Sequence, residues 1–225
     1  MTTVRIAAGV LLIAALAAAD AGAQVAKLYP VDEAARDPEF FAFRARLLVA
    51  VQKRDTEFVY GILSERIKNN FGGGGGIADF KKHWQPEDAD SKLWSTLAEV
   101  LAFGGQFDES KSFWAPYWFA AEPSAGDDPF VYGVIVGRGV KVRREPSAAS
   151  ASLADLDFDV IKVKDWKQTP DSTEPASGRT WVAVELADGR AGFVASSYVR
   201  SRIGYRAGFA KRNGRWVLEF FAAGD

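Results

Sequence analysis

The sequence predicts an α+β protein: a mainly helical N-terminal part, a small all-β barrel, and a C-terminal β-hairpin that packs back on the helical part. Three observations carry this. Between Asp37 and Gly105 apolar residues recur at spacings of three and four, the period of helices with one buried face. Between Phe130 and Arg202 short β-rich runs alternate with turn residues, the pattern of a small barrel. Between Tyr205 and Phe221 two runs flank Asn213-Gly214, a two-residue hairpin signal. The expected domains are residues 24–126, 127–203 and 204–225, behind a leader over residues 1–23.

The leader begins with Arg5 and continues as an uncharged run from Ile6 to Ala19. That run is shorter than the ~20 residues a membrane-spanning helix needs. Asp20 ends it, and Ala21-Gly22-Ala23 offers the small-x-small pattern of a signal-peptidase site. No cysteine follows to carry a lipid anchor. A cleaved, exported chain is therefore expected, periplasmic or secreted, with no membrane insertion after cleavage.

In the helical part, Asp37-Pro38-Glu39 is a helix start, with a capping side chain, proline at the first helical position and an acid in the first turn. Phe40, Phe43, Leu47, Leu48 and Val51 form its apolar stripe. Asp55 is expected to open a second helix with Val59, Ile62, Leu63 and Ile67. Five glycines, Gly72 to Gly76, follow, then a short helical piece over 77–84. Asp90 or Ser91 caps a further helix carrying Leu93, Trp94, Leu97, Val100 and Leu101, with Gly104-Gly105 past its end. Residues 107–119 are aromatic-rich around Pro116, as strands or an irregular segment, and residues 122–129 carry the Pro, Gly and Asp of a linker.

The barrel runs read Val134-Ile135-Val136, Val140-Lys141-Val142-Arg143, Val160-Ile161-Lys162-Val163, Trp181 to Leu186 and Ala191 to Val194, with Asp188-Gly189 as a hairpin turn. The order of Val140 to Arg143, Glu145-Pro146-Ser147, Leu153 to Asp157, Trp181-Val182-Ala183-Val184, Asp188-Gly189, Gly192-Phe193-Val194 and Ser197-Tyr198-Val199 resembles the bacterial SH3-like (SH3b) domain. The likeness covers roughly a third of the chain. Glu145 stands where that family usually has glycine, Phe193 where it has tryptophan, and a polar insert over 164–179 lengthens one loop. The resemblance implies an SH3-like barrel that binds cell-wall peptides or envelope proteins without catalysis. Its implied contacts, exposed aromatics beside acidic loops, would be Tyr132, Asp155, Asp157, Trp166 and Tyr198.

In the hairpin, a turn at Asn213-Gly214 pairs Lys211 with Trp216 and Phe209 with Leu218. One face then carries Tyr205, Ala207, Phe209, Trp216, Leu218 and Phe220, with Arg206, Arg212, Arg215 and Glu219 on the other. A lone hairpin is marginal in water, so that apolar face requires a partner surface.

Composition narrows the chemistry. With 28 basic and 29 acidic residues, net charge −1, nothing calls for nucleic acid. Absence of cysteine removes disulfides, thiolate metal sites and a cysteine nucleophile. His83 is the only histidine, no Gly-x-Ser-x-Gly is present, and no Gly-Lys-Ser/Thr follows the glycine run. The run is expected to be an inter-helix loop, and no catalytic residue, metal ligand or cofactor is called for. Carboxylates suited to glycoside hydrolysis, Glu65, Asp79, Glu99, Asp108 and Glu109, supply a distant third reading, since that chemistry needs only two carboxyls ~5–9 Å apart. Trp114, Tyr117, Trp118 and Phe119 are expected to be mainly core, with sugar or protein contact as the alternative. The function expected is a non-enzymatic binding module of the bacterial envelope, taking a peptidoglycan peptide or an envelope protein. The alternative is a structural or protein-interaction module with no small ligand. Intact-mass analysis of the exported protein is expected to show a chain that starts at Gln24; a mature chain retaining residues 1–23 would contradict the leader.

Overall fold

A computed structural model describes residues 26–120 and 128–224; the leader, its cleavage site and most of the expected linker lie outside the described residues. The described residues are mixed α+β, with five α-helices and two sheets. Helix α1 (Pro38–Lys53) starts where Asp37 Oδ1 accepts from the amides of Glu39 and Phe40, both at 2.9 Å. It buries Phe40, Phe43, Leu47, Ala50 and Val51; Leu48, expected on this stripe, faces solvent. Helix α2 (Thr56–Gly61) is capped by Asp55 and stops at Gly61. The second helix expected through Ile67 therefore ends early. Residues 63–68 form strand β1 (Leu63–Lys68), with the Ile62 carbonyl accepting from the Leu218 amide at 2.7 Å. The ladder offered by a distant strand outweighs the local helical spacing of Val59, Ile62, Leu63 and Ile67.

Helices α3 (Gly76–Trp84) and α4 (Leu93–Ala102) follow, then strands β2 (Gln106–Phe107) and β3 (Phe113–Ala115) and the short helix α5 (Tyr117–Ala120). Seven strands come next: β4 (Tyr132–Ile135), β5 (Val140–Arg143), β6 (Ser152–Leu156), β7 (Val160–Pro170), β8 (Thr180–Glu185), β9 (Ala191–Ala195) and β10 (Val199–Ser201). The chain ends in β11 (Arg206–Arg212) and β12 (Arg215–Ala222).

The first sheet has the order β1-β12-β11-β3-β2, with β1 parallel to β12 and the other neighbours antiparallel. All strands of the second sheet thus lie in the chain between two neighbours of the first, β3 and β11. Lys211 pairs with Trp216 and Phe209 with Leu218. A bulge between Gly208 and Phe209 then shifts the alternation of β12. Phe221, rather than Phe220, joins Ala207, Phe209, Trp216 and Leu218 in the core under the helices. Phe220 turns to the opposite face, where its ring meets those of Phe71 and Trp114. The face expected to carry Phe220 is corrected accordingly.

Phe40 is the centre of that core. Its ring lies 4.3 Å from Phe113, 4.8 Å from Trp216, 5.6 Å from Phe107 and 5.8 Å from Phe209. One helical side chain therefore holds four strands, which no pairing within the sheet alone could lock against the helices. At the rim, Lys211 donates to Glu39.

The second sheet has the order β10-β4-β7-β8-β9-β5-β6. Among the described residues its end strands do not pair with each other, so the closed barrel expected from the strand spacing gives way to an open sheet. β10 is only three residues long, and the Arg200 guanidinium turns back on the carbonyls of Ser196, Ser197 and Val199 at 3.0 Å each. The sheet still curls over one core, since Val199 from one end and Leu156 from the other share it with Ile135, Val142, Val163, Val184 and Val194. β7 runs to Pro170, so part of the expected insert over 164–179 is strand paired with β8.

The rest of that insert is anchored by Asp171, whose side chain is fully buried. It accepts from the amides of Thr173 and Glu174 at 3.0 Å, the Thr173 hydroxyl at 2.9 Å and the Trp181 indole N–H at 3.1 Å. Burial opposes its charge, but these donors, the backbone amides foremost, hold the carboxyl well below the ordinary carboxylate range. The Ser147 hydroxyl meets Thr173 Oγ1 at 2.7 Å, tying the Pro146-Ser147 turn to the same point.

Two predictions follow from these contacts. Phe40→Ala is expected to cost about 3–5 kcal/mol in denaturant unfolding, the range for truncating a buried aromatic ring. A carboxyl with a depressed folded pKa adds stability that is complete above the ordinary value of 3.8 and fades as pH falls below it. Asp171→Asn is therefore expected to lower the melting temperature at neutral pH, and the gap from the parent protein is expected to shrink on acidification below that value.

Candidate binding groove between the two sheets

The junction of the two sheets is built by segments far apart in the chain. Residues 26–33 form a strap across it. Leu28 donates to the Phe158 carbonyl and Val160 to the Ala26 carbonyl, both at 2.8 Å, while Lys27 Nζ donates to Asp159 at 2.8 Å. Further along, Gly105 donates to Val31 and Glu33 to Gly105, at 3.0 and 2.8 Å. A small apolar cluster of Tyr117, Trp118 and Val134, with Leu28, Phe103 and Val136 against it, fills the seam. Burial pushes the Tyr117 phenol up to about 12, and its hydroxyl donates to the Leu28 carbonyl at 3.2 Å.

Three depressions adjoin along this seam. The first, about 370 Å³, lies among Pro30, Val31, Phe103, Tyr117 and Val136. The second, about 160 Å³, shares Phe103 with it and is walled by Pro116, Trp118, Gly204 and Tyr205. The third, about 390 Å³, shares Glu99, Arg200 and Ser201 with the second and reaches Trp166, Gln168, Ser196 and Ser197. Together they form a groove in the size range of ligand sites, ~300–1,000 Å³.

Arg200 stands where the second and third depressions meet. Its Nε lies 2.8 Å from Glu99 Oε1, an ion contact without the alignment of a hydrogen bond, and its guanidinium lies 5.3 Å from the centre of the Phe103 ring. Phe103 packs 5.0 Å from Trp118. The groove therefore offers both charges at its midpoint, aromatic walls on either side, and hydroxyls of Thr96, Ser196, Ser197 and Ser201 along its course. β10, which supplies Val199, Arg200 and Ser201 to it, is an end strand of its sheet.

Of the five contact residues read from the sequence, only Trp166 lines this groove. Its indole N–H donates to the Phe130 carbonyl at 3.2 Å, and its ring lies over Gly133, where an added Cβ would sit 2.9 Å from Trp166 Cη2. Tyr132 is half-buried opposite Lys162 on the neighbouring strand. Asp155 pairs with Lys141 at 2.5 Å, and Asp157 accepts from the Gly139 amide at 2.6 Å. Tyr198 is 49 % exposed beside Gly137. The five do not converge on one site. Glu99 and Trp118 were singled out in the sequence only for other readings, a carboxylate pair and an aromatic cluster, while Phe103, Arg200 and Tyr205 were missed, because nothing in the sequence relates helix α4, helix α5 and the end of β10. Of the aromatic run, Phe113, Tyr117 and Trp118 are buried, while Trp114 and Phe119 are half-buried on the outer face of the first sheet.

Among the described residues no group of three or more His, Asp and Glu side chains is placed to hold a metal ion, and no helix is long and apolar enough to cross a membrane. His83 lies on the surface, its ring edge-on to Trp84. Comparison with protein-family models, curated proteins and solved structures finds no match.

Gly133→Ala is expected to cost about 1–3 kcal/mol by forcing the Trp166 ring aside. The cost is expected to fall but not vanish in a Trp166→Ala background, where Val199 Cγ2 and the Arg200 carbonyl oxygen still meet the added Cβ at 3.1 and 3.2 Å. Equal costs in both backgrounds, measured by denaturant unfolding, would show that Trp166 does not rest on Gly133.

Proposed function

We propose that the chain is an exported, non-catalytic binding module of the cell envelope, in which an SH3-like sheet and the helical part together hold an extended peptide. The observation that carries this is the groove along β10, with Arg200 and Glu99 at its centre and the rings of Phe103, Trp118, Tyr205 and Trp166 along its walls. β10 lies at the end of its sheet, and the pockets beside it offer separate places for alternate side chains of an extended peptide. A cation and an anion side by side suit a short peptide that carries both a carboxylate and an amine, as wall peptides do. Aromatic walls supply apolar contact at low conformational cost.

A second reading, a protein partner without a small ligand, is favoured by helix α1. Phe41, Leu48 and Val49 lie 52 %, 39 % and 50 % exposed along one side of it, opposite the buried stripe.

The test is retention of the mature protein on purified peptidoglycan, beside an unrelated exported protein, followed by titration with a soluble wall peptide. Retention is expected, and Trp166→Ala or Arg200→Ala is expected to weaken peptide binding by about tenfold or more, as for a central contact. No retention, or binding unaffected by both substitutions, would overturn the peptide groove. Co-purification of an envelope protein that is lost on Leu48→Asp would favour the second reading.

A further inference from the structure

A fourth depression, which shares no lining residue with the three along the seam, has a different chemistry. It is about 430 Å³ and lies between α1, the end of α2 and the tip of the β11–β12 hairpin. Its floor is apolar, with Phe43, Ile62 and Trp216 each more than nine-tenths buried and Phe58 packed against them. Two guanidiniums stand at its mouth, Arg46 on α1 and Arg215 just after the hairpin turn. Both are exposed, and neither has an ion pair or side-chain hydrogen bond among the described residues. The one acid of the lining, Glu39, is already matched by Lys211. The neighbouring Arg212 is likewise matched by Glu219, at 2.5 Å. The mouth therefore keeps two uncompensated positive charges, in a chain whose acids and bases otherwise nearly balance. The indole nitrogen of Trp216, one of the lining residues, is buried without a hydrogen-bond partner among the described residues.

We propose that this depression binds a small amphipathic carboxylate, the apolar body on the Phe43–Ile62–Trp216 floor and the carboxylate between Arg46 and Arg215. Two guanidiniums can each present a planar pair of donors to one carboxylate, which a neutral head group of the same size could not exploit. The apolar floor adds a contribution proportional to the area it removes from water. Such a ligand could be a fatty acid or an acylated amino acid; both share the chemistry of one carboxylate on an apolar body.

Three probes test this on the mature protein by amide chemical-shift titration: octanoate, N-acetylphenylalanine, and 1-octanol as the uncharged control. Octanoate or N-acetylphenylalanine is expected to shift the amides of Ile62, Gly214, Arg215 and Val217, and the tighter of the two identifies the apolar body. 1-Octanol is expected to bind at least about tenfold more weakly, and so is the better acid to an Arg46→Gln, Arg215→Gln protein, as for loss of hydrogen bonds to a charged group. Both substitutions are at exposed positions, and an unchanged thermal melt shows that the fold is kept. The proposal is overturned if neither acid shifts these amides, if 1-octanol binds as well as the acids, or if the double variant binds them as the parent does.

Discussion

Phe40 is the residue on which the rest of the structure depends. It comes early in the chain, yet its ring touches others from β2, β3, β11 and β12, the last of which is the final strand. A hairpin at the chain's end cannot hold itself in water. Here it is inserted between β1 and β3, with its apolar face under α1 and α4. The helices gain a sheet to cover, and the sheet gains a layer that excludes water from Phe209, Trp216 and Leu218.

That closure fixes the seam. Because β3 and β11 are neighbours, the chain must leave the first sheet near Pro116 and return to it near Tyr205, and the second sheet hangs between these two points. Residues 26–33 tie the same place from a third direction. The seam is therefore narrow where the chain crosses it and open alongside, and the open part is the groove lined by Phe103, Trp118, Arg200 and Tyr205. Arg200 stands at its centre with its donors on the carbonyls of Ser196, Ser197 and Val199, which lead into β10, so these groups are satisfied where the chain enters the strand.

The parts legible in the sequence were those set by neighbours in the chain. Asp37-Pro38 marks the start of α1, and Asn213-Gly214 marks the turn that puts Lys211 opposite Trp216, because caps and two-residue turns are local chemistry. β1 was not legible: its apolar spacing suits a helix, and only a strand about 150 residues away makes it extended. Phe220 was misplaced because the bulge beside Gly208 has no sequence mark that alternation alone can reveal. The second sheet's strands could be read from their β-branched runs, but its openness could not, since whether β10 and β6 meet is set by tertiary packing and not by neighbours in the chain. The groove was invisible for the same reason: its residues come from separate segments that only tertiary packing brings together, and of the exposed aromatics only Trp166 reached it.

The central claim is that the terminal hairpin and the helical layer form one cooperative unit around Phe40. Native-state hydrogen exchange tests it most directly. If the claim holds, the core amides of α1, β3, β11 and β12 exchange last and with one common free energy, that of global unfolding. If the amides of β11 and β12 exchange faster than those of α1 as a separate group, the hairpin is an appendage and Phe40 does not organise the fold.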